Sequence, residues 1–247
     1  MADRELAADD PFVHVPHLCE RVTPPAQSRL RVTPEVLAAW DERARKAGHP
    51  ASWRLPDEAL EASRRATLAR LGEGEDLWVY AYGPLMWDPS FHFSELRLAS
   101  LEGYARRFSY RSSLGRGTPE LPGLMLTLEK APGRCHGLAF RIDAALAEAE
   151  SRILWRREML RGGYVPTLAP VATTHGEVAA VVFACNVAHP DYLGNLPLAE
   201  KAAVIARAAG FNGSNRAYLE HLASLLHCVQ AEDEYVTQLL DQVRALG

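Results

Sequence analysis

The stretch Leu77-Trp-Val-Tyr-Ala-Tyr-Gly-Pro-Leu-Met-Trp-Asp-Pro-Ser-Phe91 decides the fold of this chain. Its first six residues are apolar or aromatic, and they predict a buried strand that stops at Gly83-Pro84. A backbone that turns at a glycine beside aromatic residues can bring bare amide groups close to a small ligand. The strand end is therefore the first candidate binding site, although a plain turn explains the same residues equally well.

The candidate ligand-binding residues at this turn are Tyr82, Gly83, Pro84 and Leu85. Converging backbone N–H groups form a nest for a carboxylate or an oxyanion. Pro84 has no N–H, so Gly83, Leu85 and Met86 are the amides that remain as donors.

Glu158 is the best acid/base candidate. It lies near the end of a helix predicted over about 143–160, in the run Leu154-Trp-Arg-Arg-Glu-Met159. Leu154 and Trp155 precede it by one turn on its own side, and apolar neighbours raise the pKa of a carboxyl. Arg156 and Arg157 are expected to point elsewhere. The competing interpretation, a solvated surface glutamate, is favoured when charged helix residues are considered in general.

A Gly/Pro-rich loop supplies two more candidates, Arg116 and Gly117, within Arg116-Gly-Thr-Pro-Glu-Leu-Pro-Gly123. The planar guanidinium of Arg116 is suited to a substrate carboxylate. The loop is equally compatible with a plain connection. Ser214 is a good helix N-cap, which explains its position without an anion site.

The pattern of the whole chain predicts an α+β fold with a mixed or barrel-like sheet, because strand-like runs come first and helices come late. Strands are predicted at 77–82, 106–112, 124–129, 135–142 and 176–187, and helices at about 143–160, 197–209, 214–228 and 232–246. Two units are expected. Residues 1–75 form an extended or poorly ordered leader followed by a helical extension at about 30–72 that packs against the main domain, and residues 76–247 form that domain. Thr33-Pro34-Glu35 and Pro56-Asp57-Glu58 predict the two helix starts of the extension, and Gly72-Glu-Gly74 a hinge.

Composition excludes several classes of function. The net charge of −4 argues against non-specific nucleic-acid binding, and no apolar run is long enough to predict a membrane span. Four separated cysteines and an acidic N-terminus without an apolar run predict a cytoplasmic protein with free thiols. The group His14, His17 and Cys19 lies in a proline-rich leader, so no metal site is expected, and a Cys185/His189 hydrolase is a weaker idea.

Four segments taken together resemble the ChaC-type γ-glutamylcyclotransferases, in their glutathione-specific branch. The resemblance covers about residues 76–246, and its segments occur in the family's order: Tyr82-Gly-Pro-Leu-Met-Trp87; Gly103-Tyr-Ala-Arg-Arg-Phe108 leading into Arg116-Gly-Thr-Pro119; Trp155-Arg-Arg-Glu-Met159 with Tyr164; and Gly213-Ser-Asn215 with Tyr218. The run Asn186-x-x-His189-Pro190-x-Tyr192 adds support.

The resemblance implies a small β-barrel with flanking helices, no cofactor and no metal. It also implies that the small-molecule substrate is glutathione or a related γ-glutamyl compound. Glu158 corresponds to the catalytic acid/base, the turn at Gly83 holds the γ-glutamyl group, and Tyr164 and Tyr192 join Arg116 and Gly117 as substrate-binding residues. The implied products are 5-oxoproline and cysteinylglycine.

One departure from the family leaves a second hypothesis open. The family has serine where this chain has Pro84, and the tract Ser109–Gly115 is less aromatic than the family's. The alternative function is therefore a weakened or inactive γ-glutamyl-binding or interaction protein on the same scaffold.

Overall fold

The computed structural model describes residues 10–72 and 74–247, so the leader residues 1–9 and Glu73 of the predicted hinge lie outside the described part. The helices are α1 (Pro34–Lys46), α2 (Asp57–Leu68), α3 (Ala144–Glu158), α4 (Leu198–Arg207), α5 (Asn215–Cys228) and α6 (Glu234–Ala245). The strands are β1 (Leu77–Ala81), β2 (Glu95–Ser112), β3 (Gly123–Ile142), β4 (Tyr164–Thr173), β5 (Gly176–Cys185), β6 (Ala209–Gly210) and β7 (Gly213–Ser214).

Five strands form a closed barrel in the order β1-β3-β2-β4-β5, which confirms the predicted α+β fold with a mixed barrel. β1 runs antiparallel to β3, with Val79 opposite Phe140, and parallel to β5, with Val79 opposite Val181. Both neighbours of β1 are apolar strands, which is why four of its five side chains are buried. The short strands β6 and β7 form a separate hairpin.

The strand predictions differ from the structure at several strands. β2 begins at Glu95 rather than at Arg106, and the short strands β6 and β7 were not predicted. β4 was not predicted, because Pro166 and Pro170 interrupt an otherwise strand-like run and proline is unfavourable inside a sheet. The two runs predicted at 124–129 and 135–142 form one long strand, β3, which continues through Pro132-Gly133. Proline followed by glycine usually predicts a turn, but here the hydrogen bonds of β3 to its neighbouring strands keep the chain in a strand.

Residues 10–30 form turns and short helices, so the prediction of an extended or poorly ordered leader is wrong for them. Prolines start two short 3-10 helices there, Pro16–Leu18 and Pro25–Gln27. Val15, Leu18 and Val22 are buried, because these turns direct apolar side chains inward. The predicted starts of α1 and α2 are confirmed, with Thr33 Oγ1 accepting from the N–H of Val36.

The chain divides into two compact units. The first comprises Met1–Leu101, of which the structure describes residues 10–72 and 74–101, together with Gly137–Phe183. The second comprises Glu102–His136 and Ala184–Gly247, where α4, α5 and α6 pack on one another. The helices α1 and α2 thus belong to the same unit as β1 and α3, and α2 packs on α3 and β4. The division of the chain at residue 75 stays a prediction.

None of the helices within residues 10–72 and 74–247 combines the length and the apolar character that spanning a membrane requires.

Candidate active site

The turn after β1 is a short 3-10 helix, Pro84–Met86, capped by Gly83. The N–H of Met86 donates to the carbonyl of Gly83 at 2.8 Å, so the prediction that Met86 offers a donor to a ligand is wrong. The N–H groups of Gly83 and Leu85 are different: both residues are buried, and within the described part of the chain neither group has a hydrogen-bond partner. Buried N–H groups are almost always paired, so these two are donors left available to a ligand.

The neighbouring Tyr82 has a structural contact. Its hydroxyl donates to the carbonyl of Phe183 at 2.9 Å, and the residue is 7% exposed. The hydroxyl thereby ties the end of β1 to the end of β5. Pro84 is half-buried, and its carbonyl accepts from the N–H groups of Trp87 and Asp88.

Glu158 is the last residue of α3 and lies against buried apolar side chains. Leu154 and Trp155, one turn earlier, are 0% and 1% exposed. The Glu158 side chain keeps only 16% of its surface exposed, so the interpretation as a solvated surface residue is wrong. Burial raises the pKa of the Glu158 carboxyl, and the nearby charge of Arg157 offsets only part of this effect.

Arg157 does not point away from Glu158, contrary to the prediction. Its Nε lies 3.1 Å from Glu158 Oε1, and its Nη1 donates to the backbone carbonyl of Asp88. Successive side chains in a helix normally diverge, but the helix ends here and both side chains turn to the same side. Arg157 therefore links the end of α3 to the loop that follows the Gly83 turn.

Tyr164 is the first residue of β4 and is half-buried. It follows a tight turn in which the N–H of Gly162 donates to the carbonyl of Met159 at 3.1 Å. Gly162 has a φ of 73°, which few residues other than glycine adopt, and so the chain can leave α3 and enter β4 within a few residues.

The remaining predicted site residues, Arg116, Gly117 and Tyr192, belong to the second unit. Arg116 Nη1 donates to the carbonyls of Asn212 and Ser214, and its guanidinium lies 5.0 Å from the ring centre of Tyr218. Burial lowers the pKa of Arg116. One edge of the guanidinium thus anchors the loop, while Nε and Nη2 have no partner within the described residues.

Gly117 is required by packing. A Cβ at this position would lie 2.1 Å from the backbone nitrogen of Gly123 and 2.6 Å from the carbonyl oxygen of Ser112. Close approach of the backbone therefore explains this glycine without a ligand.

Tyr192 belongs to a polar cluster that was not predicted. Its hydroxyl donates to Glu129 at 3.3 Å, and Glu129 also accepts from Ser109 and Thr127. Burial, reinforced by Glu129, raises the pKa of Tyr192. The same-face spacing of Thr127 and Glu129 on a strand was the available signal.

The neighbouring thiol of Cys185 is not activated. Burial raises the pKa of Cys185 to about 11, which keeps its thiol protonated near neutral pH. The Cys185/His189 hydrolase idea loses its support, because the thiolate is the nucleophile in such enzymes.

Six of the nine predicted site residues, Tyr82, Gly83, Pro84, Leu85, Glu158 and Tyr164, thus lie in the first unit. The contacts from Arg157 to Glu158 and Asp88 connect its two parts, the strand-end turn and the helix end. No cluster of three or more histidine, cysteine or acidic side chains suited to a metal ion occurs among residues 10–72 and 74–247.

Comparison with known proteins agrees with this architecture. A family model described as ChaC-like protein matches residues 77–246. The glutathione-specific gamma-glutamylcyclotransferase of Escherichia coli (strain K12) is 37% identical over 190 residues, which cover 76% of this chain and 82% of that protein. Glutathione-specific gamma-glutamylcyclotransferase 1 of Mus musculus is 31% identical over 204 residues, which cover 79% of this chain and 92% of that protein. The chain belongs to the ChaC-like protein family.

The fold has a solved counterpart. The crystal structure of a yeast gamma-glutamyl cyclotransferase specific to glutathione superposes with a TM-score of 0.62 at 24% identity, covering 70% of this chain and 99% of that one. At this identity the likeness concerns the fold alone.

Proposed function

We propose that this chain is a γ-glutamylcyclotransferase that cleaves glutathione, or a closely related γ-glutamyl compound, to 5-oxoproline and cysteinylglycine. The observation that carries the proposal is Glu158, a largely buried carboxyl with a raised pKa whose ion-pair partner also contacts the Gly83 loop. We define the Gly83 loop as residues 83–92. The names and identities of the relatives support the same reaction.

The proposed reaction begins with a proton transfer. Glu158, in its carboxylate form, takes a proton from the α-ammonium of the γ-glutamyl group, and the freed amine attacks the γ-carbonyl carbon of the same residue. A raised pKa makes the carboxylate a better base near neutral pH. The new C–N bond closes a five-membered ring and places negative charge on the carbonyl oxygen.

The ring closes without a second molecule, so much of the acceleration comes from orientation. Effective molarities of well-aligned intramolecular reactions reach about 10⁵ M or more. The N–H groups of Gly83 and Leu85, which have no hydrogen-bond partner in the part of the chain that the structure describes, are suited to the substrate carboxylate or to the oxyanion. When the bond to the cysteinyl nitrogen breaks, Glu158 gives its proton to the leaving amine. The ring nitrogen still carries one extra proton, which the same carboxylate passes to that amine, so the products are the neutral lactam and the ammonium form of cysteinylglycine, and Glu158 is again a carboxylate.

The second candidate function is a γ-glutamyl-binding protein with little or no turnover, and Pro84 is the observation behind it. Proline at this position removes an N–H and a hydroxyl that the family's serine supplies. Among residues 10–72 and 74–247, the neighbouring N–H groups of Gly83 and Leu85 have no hydrogen-bond partner in spite of Pro84, so the turn still offers two donors to a ligand.

The experiment is to incubate the purified protein with glutathione and to measure 5-oxoproline, alongside calorimetry of glutathione binding. Product formation supports the enzyme. Binding without product supports the second candidate, and absence of both contradicts both proposals.

The cellular setting is also a proposal. The four cysteines are free, which fits the reducing cytoplasm proposed from the sequence.

A further inference from the structure

The N-terminal segment, residues 10–72 as described, precedes the part of the chain that the family model matches. Within the first unit, its contacts include both the Gly83 loop and helix α3. We propose that this segment is a brace that fixes the distance between them, and that Arg31 is a positioning residue acting on Glu158 through α3. The proposal rests on the proposed function for its kinetic consequences.

Arg31 makes the central contact of the brace. Its two terminal nitrogens donate to the two carboxylate oxygens of Glu150 at 2.6 and 2.8 Å, and Nη1 also donates to the carbonyl of Ser90 at 2.8 Å. The N–H of His92 donates to Glu150 at 3.0 Å. One guanidinium therefore joins the loop at Ser90 to α3 at Glu150, in the bidentate geometry that is the most directional among ion pairs.

The Arg31 contact is well shielded from water, which makes it stiff. The Glu150 side chain is 5% exposed and that of Arg31 is 24% exposed. Burial alone would raise the pKa of Glu150, but the hydrogen bonds from Arg31 and His92 outweigh it and hold the pKa below its ordinary value. Glu150 is thus ionised and fully engaged at neutral pH.

Further contacts hold the same two elements. On the loop, the N–H of Thr23 donates to the carbonyl of Trp87 at 2.7 Å. Beyond the end of α3, the N–H of Leu55 donates to the carbonyl of Leu160 at 2.8 Å. On the body of α3, Arg64 pairs with Glu148 through two bonds of 2.8 Å.

A helix transmits these constraints to the catalytic group. Glu150 lies about two turns, or about 12 Å, before Glu158 on α3. Arg157 connects the far end of the helix to Asp88 of the same loop. Two cross-links therefore hold α3 against the Gly83 loop, one from Arg31 to the middle of the helix and one from Arg157 at its C-terminal end, and the N-terminal segment supplies the first. Displacement of a catalytic group by about 1 Å can cost on the order of 100-fold in rate.

The test uses the full chain with three variants: Arg31→Met, the double variant Arg31→Met/Glu150→Met, and the control Arg45→Met. Arg45 pairs with Glu42 on the exposed surface of α1, and within the described residues it has no hydrogen bond or ion pair to the Gly83 loop or to α3. The double variant replaces the whole buried ion pair with apolar side chains, which removes the unpaired charge that Arg31→Met alone leaves behind. The double variant therefore separates the effect of the ion pair on the stability of the protein from its effect on the position of Glu158.

The first readout is hydrogen exchange of residues 86–92 and 155–162, which needs no activity. Faster exchange in both segments of Arg31→Met and of the double variant, with Arg45→Met like wild type, is the expected result. An unchanged rate of hydrogen exchange in either segment of the double variant would contradict the proposed role of the N-terminal segment, whether or not the protein turns over glutathione.

The second readout is the pH dependence of glutathione turnover. In both Arg31 variants, kcat should fall about 10- to 100-fold. The acid limb of kcat/KM should move to lower pH, because a looser α3 admits water to Glu158.

The melting temperature of the double variant should recover toward wild type while its kcat stays low. Recovery of kcat together with the melting temperature would show that the contact only stabilises the fold.

Discussion

At the scale of single residues, the environment of Glu158 links activity and stability in opposite directions. Burial raises its pKa in the folded protein above the value in the unfolded chain. A carboxyl with a raised folded pKa stabilises the fold at low pH, where it is protonated, and this contribution is lost as the pH rises through the raised pKa. The ionised form, which is the one proposed to serve as base, is thus the form that costs stability.

The raised pKa of Glu158 predicts the pH dependence of the enzyme. The acid limb of the kcat/KM profile with glutathione should lie above pH 4.5, the ordinary pKa of a glutamate side chain. The measurement is a pH series on the wild-type protein between about pH 4 and 9. An acid limb at or below the ordinary glutamate pKa would contradict the assignment of Glu158 as a largely buried base.

A second residue-scale prediction concerns Pro84. In Pro84→Ser, kcat/KM should rise about tenfold or more, because serine restores an N–H and a hydroxyl, and a charge-assisted hydrogen bond is worth about 1.5–3 kcal/mol. The matched control is Pro24→Ser, at the exposed start of a 3-10 helix, which should leave kcat/KM unchanged. Equal kinetics in Pro84→Ser and wild type would show that residue 84 does not contact the substrate.

At the scale of elements, the packing of α2 on α3 depends on one buried cation. Arg64 is 2% exposed and bonds Glu61, Glu148 and Ser151. The variant Arg64→Met should lower the free energy of unfolding by about 2 kcal/mol, since several charge-assisted hydrogen bonds are lost while the two carboxylates regain water. The measurement is a denaturant titration.

The adjacent Arg65 offers a matched control for this titration. Its side chain is 71% exposed and also pairs with Glu61. Surface pairs contribute little, so Arg65→Met should stay within about 0.5 kcal/mol of wild type. Equal losses in the two variants would mean that burial of Arg64 does not matter.

Sequence patterns predicted the elements where a local rule applies. Thr33 and Ser214 cap α1 and α5 as expected, because an N-cap needs only residues a few positions apart. β4 was missed, since its pairing with β2 outweighs the unfavourable prolines. The contact of Arg157 with Glu158 was missed as well, because helical spacing does not describe the last residue of a helix.

At the scale of the whole molecule, long-range contacts were beyond prediction. Arg31 and Glu150 are 119 residues apart, and neither lies in a motif that marks it. The sequence predicts a helical N-terminal extension packed against the main domain, and the described contacts place α1 and α2 in one compact unit with β1 and α3. For the candidate site, the turn and Glu158 were predictable, whereas the side chains that hold them were not.

The proposed chemistry depends on the acid at the end of α3, and the most direct test is turnover of saturating glutathione by Glu158→Gln, followed through release of 5-oxoproline. The account predicts that kcat falls about 10²- to 10⁴-fold, with a melting temperature at neutral pH no lower than that of wild type. The exposed variant Glu58→Gln should keep full activity. Unchanged turnover in a folded Glu158→Gln protein would contradict the account.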